Sequence, residues 1–168
     1  MTTHTLRRSD RALTRDEALA VFDEAAYVVV STVDADGTPY GVPLSFVRRG
    51  DALYFHATNE GGHKADDFRI DARVCATVVV DVEPFFAHGE FSTHYRSAMA
   101  FGRVREVEDA GEFKHALVAL CMKYLPEAKS GIGAAMRNDE AHTAVWAITI
   151  DELSGKANLP TTAPEKEI

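Results

Sequence analysis

The chain has 168 residues and a formal net charge of −8, with 46% apolar and 26% charged residues. That length and balance predict one globular domain with a genuine core, and the acidic excess disfavours nonspecific binding to nucleic acid or acidic membrane. No apolar signal core opens the chain, and no run reaches the roughly 18–20 apolar residues of a membrane helix, so a cytoplasmic location is expected.

Thr14 followed by Glu17 has the form of a capping box and predicts a helix from Arg15 to Ala25, with Leu19 and Phe22 facing inward. Val28-Val29-Val30 is a short apolar strand, followed by a turn at Asp34-Ala35-Asp36-Gly37. Asp-Gly favours a hairpin because glycine accepts positive φ there. Pro39 to Val47 reads as a second strand, Arg49-Gly50-Asp51 as a turn and Ala52 to Ala57 as a third strand. Three strands joined by tight turns predict an antiparallel meander.

From Leu53 to Arg69 the chain reads LYFHATNEGGHKADDFR: an extended edge, a loop with two glycines, and a basic pair opening a helix from His63 to Ile70. Gly61-Gly62 lets the backbone turn and approach a ligand, while His63 and Lys64 sit where unpaired helix N–H groups favour an anion. The same letters also fit an ordinary strand–loop–helix junction with a solvated lysine, since Gly-Gly-His-Lys is neither a Walker sequence nor GxGxxG.

Arg73 to Val80 is rich in β-branched residues and predicts a central, buried strand. His94 to Val107 reads as a long strand whose glycine marks a bend or bulge. Asp109 followed by Glu112 repeats the capping device, and Phe113, Ala116, Leu117, Leu120, Cys121 and Tyr124 then recur at helical spacing, which predicts a core-facing stripe. Leu125 to Arg137, holding Pro126, Gly131 and Gly133, reads as a loop and candidate lid. Thr143 to Ile150, with Trp146, is the last strand, and Leu159 to Ile168 is expected to be a mobile tail beyond a domain covering residues 6–158. Six or seven strands with few helices and no regular alternation predict an antiparallel barrel with flanking helices.

Cys75 and Cys121 stand far apart in no zinc spacing and read as small buried thiols in a reducing cytoplasm. The seven histidines form no HExxH or H-x-H pattern, so no metal site is expected, and no Ser-His-Asp or Cys-His arrangement is legible. No catalytic residue is assigned.

The stretches Asp36-Gly37-x-Pro39-Tyr40-x-Val42-Pro43-Leu44, Tyr54-Phe55-His56-Ala57, Gly62-His63-Lys64 and Tyr95-Arg96-Ser97 leading to Phe101-Gly102 occur in an order that resembles the flavin-binding split barrels related to pyridoxamine 5′-phosphate oxidase. The nearest branch is the nitroimidazole-resistance (Nim-like) proteins. The resemblance implies a Greek-key split barrel that binds FMN, with Val42, Pro43, Leu44 and Ser45 beside the flavin ring and His56 and Ala57 beside the ribityl chain. It implies His63 and Lys64 on the phosphate, and Arg96 and Ser97 on the phosphate or the pyrimidine side. It also implies a homodimer that closes the site, and an oxidoreductase acting on small molecules such as nitroaromatics. Haem, held by His56, His63 or His94, a deazaflavin, or flavin binding without turnover are the alternatives. The tryptophan-to-arginine motif with which the oxidases hold their substrate's phosphate is missing around Ser154-Gly155-Lys156-Ala157-Asn158, so synthesis of pyridoxal phosphate is not expected.

Overall fold

Val28, Val30, Val74, Ala76, Val78, Ala98 and Ala100 are buried at alternate positions of three neighbouring strands, so one face of each strand is a core wall. The structure is a computed structural model, and it describes residues 6–87 and 89–160. In chain order it contains α1 (Arg15–Glu24), β1 (Val28–Val33), β2 (Pro39–Leu44), β3 (Val47–Arg49), β4 (Ala52–Thr58), α2 (His63–Ile70), β5 (Arg73–Ala87), β6 (Glu90–Glu106), α3 (Ala110–Tyr124), α4 (Ile132–Asp139) and β7 (Thr143–Asn158). Single 3-10 turns precede α1 and flank α4. The expected C-terminal tail lies, from residue 161 onward, outside the described residues.

All seven strands join one antiparallel sheet in the order β2-β1-β5-β6-β7-β4-β3. The two ends of that order, β2 and β3, are separated along the chain only by Ser45 and Phe46. Leu44 and Val47 are three Cα steps apart, about 11 Å at most. The sheet must therefore curl until its edges meet, and it becomes a barrel split between β2 and β3. This corrects the expected meander: β1–β2 and β3–β4 are hairpins, but β2 does not pair with β4. Pro39 and Pro43 leave β2 too few N–H groups for a second neighbour.

α1 closes the barrel from inside the chain's start. The predicted capping box is present, with Thr14 accepting from the Glu17 N–H and the Glu17 carboxylate accepting from the Thr14 N–H. Ala18, Val21 and Phe22 are buried, and Phe22 meets Phe46 edge to face at 6.1 Å. α3 packs on the outside, where Ala116 joins Val107, Val145 and Ala147 in a second, smaller cluster.

Three elements differ from the sequence reading in extent. β5 and β6 form one long hairpin from Arg73 to Glu106, and in its outer part, from the Glu83–His94 pair outward, the two strands form a ladder only with each other. β7 continues to Asn158 along β6. The predicted loop from Leu125 is instead a 3-10 turn, Pro126–Gly131, followed by α4. Two glycines argued against a helix there, but Ile132, Ala135 and Met136 recur at helical spacing.

The register of β6 on β7 shifts at Phe101/Gly102, and a Cβ on Gly102 would stand 1.9 Å from the carbonyl oxygen of Thr149. Backbone cannot yield as a side chain can. Gly102→Ala is expected to cost about 3 kcal/mol, the upper part of the range for overpacking. Urea unfolding checks it, and a midpoint equal to wild type would mean that β6 and β7 do not approach so closely.

Candidate functional site

Along β2 the residue types decide which backbone groups are free. A proline cannot donate into a ladder, so Pro39 and Pro43 occupy positions whose backbone groups point away from β1, and Gly41 between them does the same. The free edge offers the carbonyls of these three residues and the N–H of Gly41. Val42 and Leu44 lie opposite Val30 and Val28, turn their backbone groups toward β1, and pack their side chains on the core. Of the expected ring-contacting stretch, then, Pro43 and Ser45 keep outward groups; Val42 and Leu44 support them.

α2 begins beside this edge. Gly61 and Gly62 both have positive φ, 93° and 123°, which lets the loop reverse without strain. No side chain caps the helix, and the first backbone bonds back to the Gly62 carbonyl come from Ala65 and Asp66. The N–H groups of His63 and Lys64 precede that first bond and are left for an anion. The His63 ring stacks on Tyr40 of β2 with centroids 4.0 Å apart, which joins helix start and strand edge into one surface.

A buried carboxylate fixes the helix. Asp67, 1% exposed, accepts from the Thr32 hydroxyl at 2.6 Å, and His63 Nε2 lies 3.6 Å from its other oxygen. Burying a carboxylate is costly unless it is paired. Thr32 of β1 and His63 supply the partners, so α2 is held to the barrel by a polar contact as well as by Phe68, which packs between Phe55 and Trp146.

The structure does not bring every predicted residue here. Alternation on β4 sends Phe55 and Ala57 into the core and His56 to the outer face. Arg96 pairs with Val80, about five residues or 16 Å along β5 from the Cys75 that faces Ser31. Its guanidinium is held by Glu24 of α1 and by Asp81, which sits at a bulge with φ 54°. These two carboxylates raise the pKa of Arg96. Ser97 donates to the Lys156 carbonyl. Within one chain, Arg96 ties β6 to α1 and Ser97 ties it to β7.

His56 instead lines a cavity of about 640 Å3 between the barrel's outer face and α3 and α4. Ser45 reaches it from the β2–β3 passage, Thr58 and Thr143 from the strands, and Leu117, Leu120, Cys121 and Tyr124 from α3. The helical stripe read as core is so in part: Ala116 and Leu120 are buried, while Leu117, Leu120, Cys121 and Tyr124 at i, i+3, i+4, i+7 line the cavity. Cys75 and Cys121, expected to be buried, prove only half-buried, Cys121 because it faces this cavity. Sequence spacing could place those residues on one face but not say what faced them. Tyr40, Thr32 and Asp67 were also missed, because a stacked ring and a buried acid have no local signature. Among the described residues no group of three or more His, Cys, Asp or Glu is placed to hold a metal, and no helix is long and apolar enough to cross a membrane.

A half-open antiparallel barrel, with an uncapped helix start beside an unpaired strand edge, defines a split-barrel protein. The chain belongs to the pyridoxamine 5′-phosphate oxidase family, whose model matches residues 14–157. It is similar to the structure of a candidate 5-nitroimidazole antibiotic resistance protein from Bacteroides thetaiotaomicron, at 26% identity and TM-score 0.72, over 87% of this chain and 86% of that one. It is similar to a FAD- and heme-binding protein from Mycobacterium smegmatis, at 26% identity and TM-score 0.75, over 90% and 76% of the two chains. A flavocytochrome from Azotobacter vinelandii shares the fold at TM-score 0.77 and 22% identity, over 98% and 77%. No curated protein matches the chain.

Thr32→Val keeps the shape and removes the hydroxyl that holds Asp67. Hydrogen bonds to charged groups contribute about 1.5–3 kcal/mol, and a loss of that size is expected in urea unfolding. Amides of α2 should exchange faster than those of β5. Uniform change across the chain would mean that Thr32 does not act through α2.

Proposed function

We propose that this chain is an FMN-binding flavoprotein, a homodimer, and an oxidoreductase for small molecules of the nitroaromatic kind. The observation that carries the reading is the uncapped start of α2, with Gly61, Gly62 and Lys64, set against the free edge of β2. An anion at the helix start and a flat heterocycle with hydrogen-bonding edges along a strand are what a flavin mononucleotide presents. Lys64 and the first helical N–H groups hold the phosphate. Gly41 N–H and the Pro43 carbonyl meet the ring's polar edge, with Ser45 beyond them. His63, fixed by Tyr40 and Asp67, keeps its place rather than swinging freely toward the phosphate. When bound, the flavin supplies the electron transfer; the protein positions it and shapes the space above it. The nitroaromatic reading follows the similar protein from Bacteroides, and a fold shared with it is support by analogy.

The rival occupant is haem, favoured by the similar Mycobacterium smegmatis protein and by two histidines, His56 and His142, on one apolar cavity. An absorbance spectrum of purified protein distinguishes them: flavin bands near the blue, or a sharp Soret band.

Lys64→Ala is expected to weaken FMN by about tenfold or more, the equivalent of one charge-assisted contact, and to leave riboflavin nearly unchanged. Fluorescence titration measures both. Equal loss for the two ligands would remove the phosphate from Lys64.

The dimer follows from an outer face with no cover. Val29, Val79 and Met99 are 43%, 53% and 38% exposed on the same side of β1, β5 and β6, around Thr77. Apolar area of this kind marks an interaction surface, and a two-fold copy would lay it against itself. Light scattering at micromolar concentration should give twice the chain mass of 18.4 kDa, and Val79→Asp should release monomers. A wild-type mass of one chain with FMN bound would rule the dimer out.

A further inference from the structure

We propose that the outer part of the β5–β6 hairpin is an exchange arm, whose aromatic end, Phe86 and Phe91, seats in a groove beside Val33 and Ile70 on a second copy of this chain. The inference rests on the dimer reading and names the contact that completes it.

The arm is a ribbon without cover. Beyond the Glu83–His94 pair β5 and β6 have only each other, and a lone two-stranded hairpin is marginally stable in water. Phe86 and Phe91 meet at 4.7 Å near its end and stay 61% and 89% exposed. Two aromatic rings left to solvent on a projecting ribbon mark a contact surface. The base of the arm is rigid by contrast. Arg96 ties it to Glu24 and Asp81, and the Asn158 side chain donates to the Thr93 carbonyl. The arm is thus held out from the barrel in one direction.

A bulge decides which way it faces. Met99, Ser97, Tyr95, Thr93 and Phe91 alternate onto one side of β6, the side of the exposed Val29 and Val79. β5 carries one extra residue between Val80 and Glu83. That residue moves the alternation of β5 from odd to even positions, so Phe86 joins Val79 on this side, where Phe85 would otherwise stand. The exposed face of the barrel therefore continues along the arm.

This continuity selects a second copy as the occupant. A two-fold axis beside Thr77 sets the two β5 strands antiparallel, so each arm runs over the other copy's Cys75–Arg73 end. Phe86 lies about 26 Å along β5 from Thr77, and Arg73 about 13 Å from it in the opposite direction. The arm thus reaches past Arg73 of the other copy, to the ground between its β1–β2 turn and the end of its α2. There a groove of about 600 Å3 opens, lined by Val33, Ala35, Ile70, Cys75 and Phe101, with Val33 and Ile70 exposed. Area calls for the arm as well. A specific dimer hides roughly 600 Å2 or more on each copy. The half-exposed Val29, Val79 and Met99 supply part of it, and two aromatic side chains bury about 150–250 Å2 each.

Photo-crosslinking reads the contact directly. The full chain with p-benzoylphenylalanine in place of Phe91 is mixed with isotope-labelled wild type, irradiated and mapped by mass spectrometry. Adducts that join labelled to unlabelled chains at residues 31–35 or 70–75 are expected. Phe86→Thr combined with Phe91→Thr keeps strand-forming residues and should raise the dimer dissociation constant about a hundredfold or more in light scattering. Val33→Asp, on the groove, should act in the same direction, and circular dichroism should stay as in wild type for both. A monomeric wild type overturns the dimer reading and the exchange together. A dimeric wild type whose arm variant dimerises equally well, or whose adducts fall within one chain or outside the groove, overturns the exchange and leaves the dimer standing. Flotation of wild type, but not of the arm variant, with phosphatidylcholine vesicles would assign the arm to a lipid surface and overturns it too.

Discussion

The passage through Ser45 and Phe46 is the constraint on which this structure rests. Two residues connect the opposite edges of a seven-stranded sheet, and a sheet so tied cannot lie open. Phe46 is fully buried at the join, against Phe22, and the Lys123 ammonium stands 3.9 Å over its ring while donating to the Ala25 carbonyl. Burial lowers the pKa of that lysine. Tyr124 satisfies the Phe46 N–H, since a strand crossing between edges has no ladder to pair with. The end of α3 thus does for the passage what a neighbouring strand does elsewhere, and its position fixes one wall of the outer cavity.

The alternation of β4 then divides the chemistry. Ala57 faces inward with Phe55, and His56 faces outward toward α3. A single strand serves the barrel's interior on one side and the cavity on the other, one residue apart. Ser45 stands at the boundary, next to both the free edge of β2 and the Tyr124 side of the cavity. The inner and outer surfaces share a wall of one strand's thickness.

Much of the fold was legible because its signals are local. Thr14 and Glu17 cap a helix by chemistry contained in four residues, and His63–Ile70 begins and ends as its glycines and charges require. The turn into α2 was legible for the same reason: Gly61 and Gly62 act on their own backbone. What stayed out of sight were partners distant in sequence. Arg96 meets Glu24, 72 residues away, and no local window shows that pair. Pro39 to Val47 looked continuous because nothing local says that the chain changes edges at Ser45. α4 carried two helix-weakening signals, and no window of sequence shows that Pro126–Gly131 leads directly into it.

The prolines of β2 have a further consequence. An edge strand ordinarily presents a row of donors and acceptors on which another chain can build, the start of sheet-to-sheet polymerisation. Between Pro39 and Pro43 this edge has one outward N–H, at Gly41, and another polypeptide strand needs alternating donors to register against it. The residues that leave the edge unpaired thereby close it to its own kind. A substitution of Pro43 by a β-branched residue would restore a donor and with it the capacity to recruit further copies, so the protection of this edge rests on the same two ring closures that leave it unpaired.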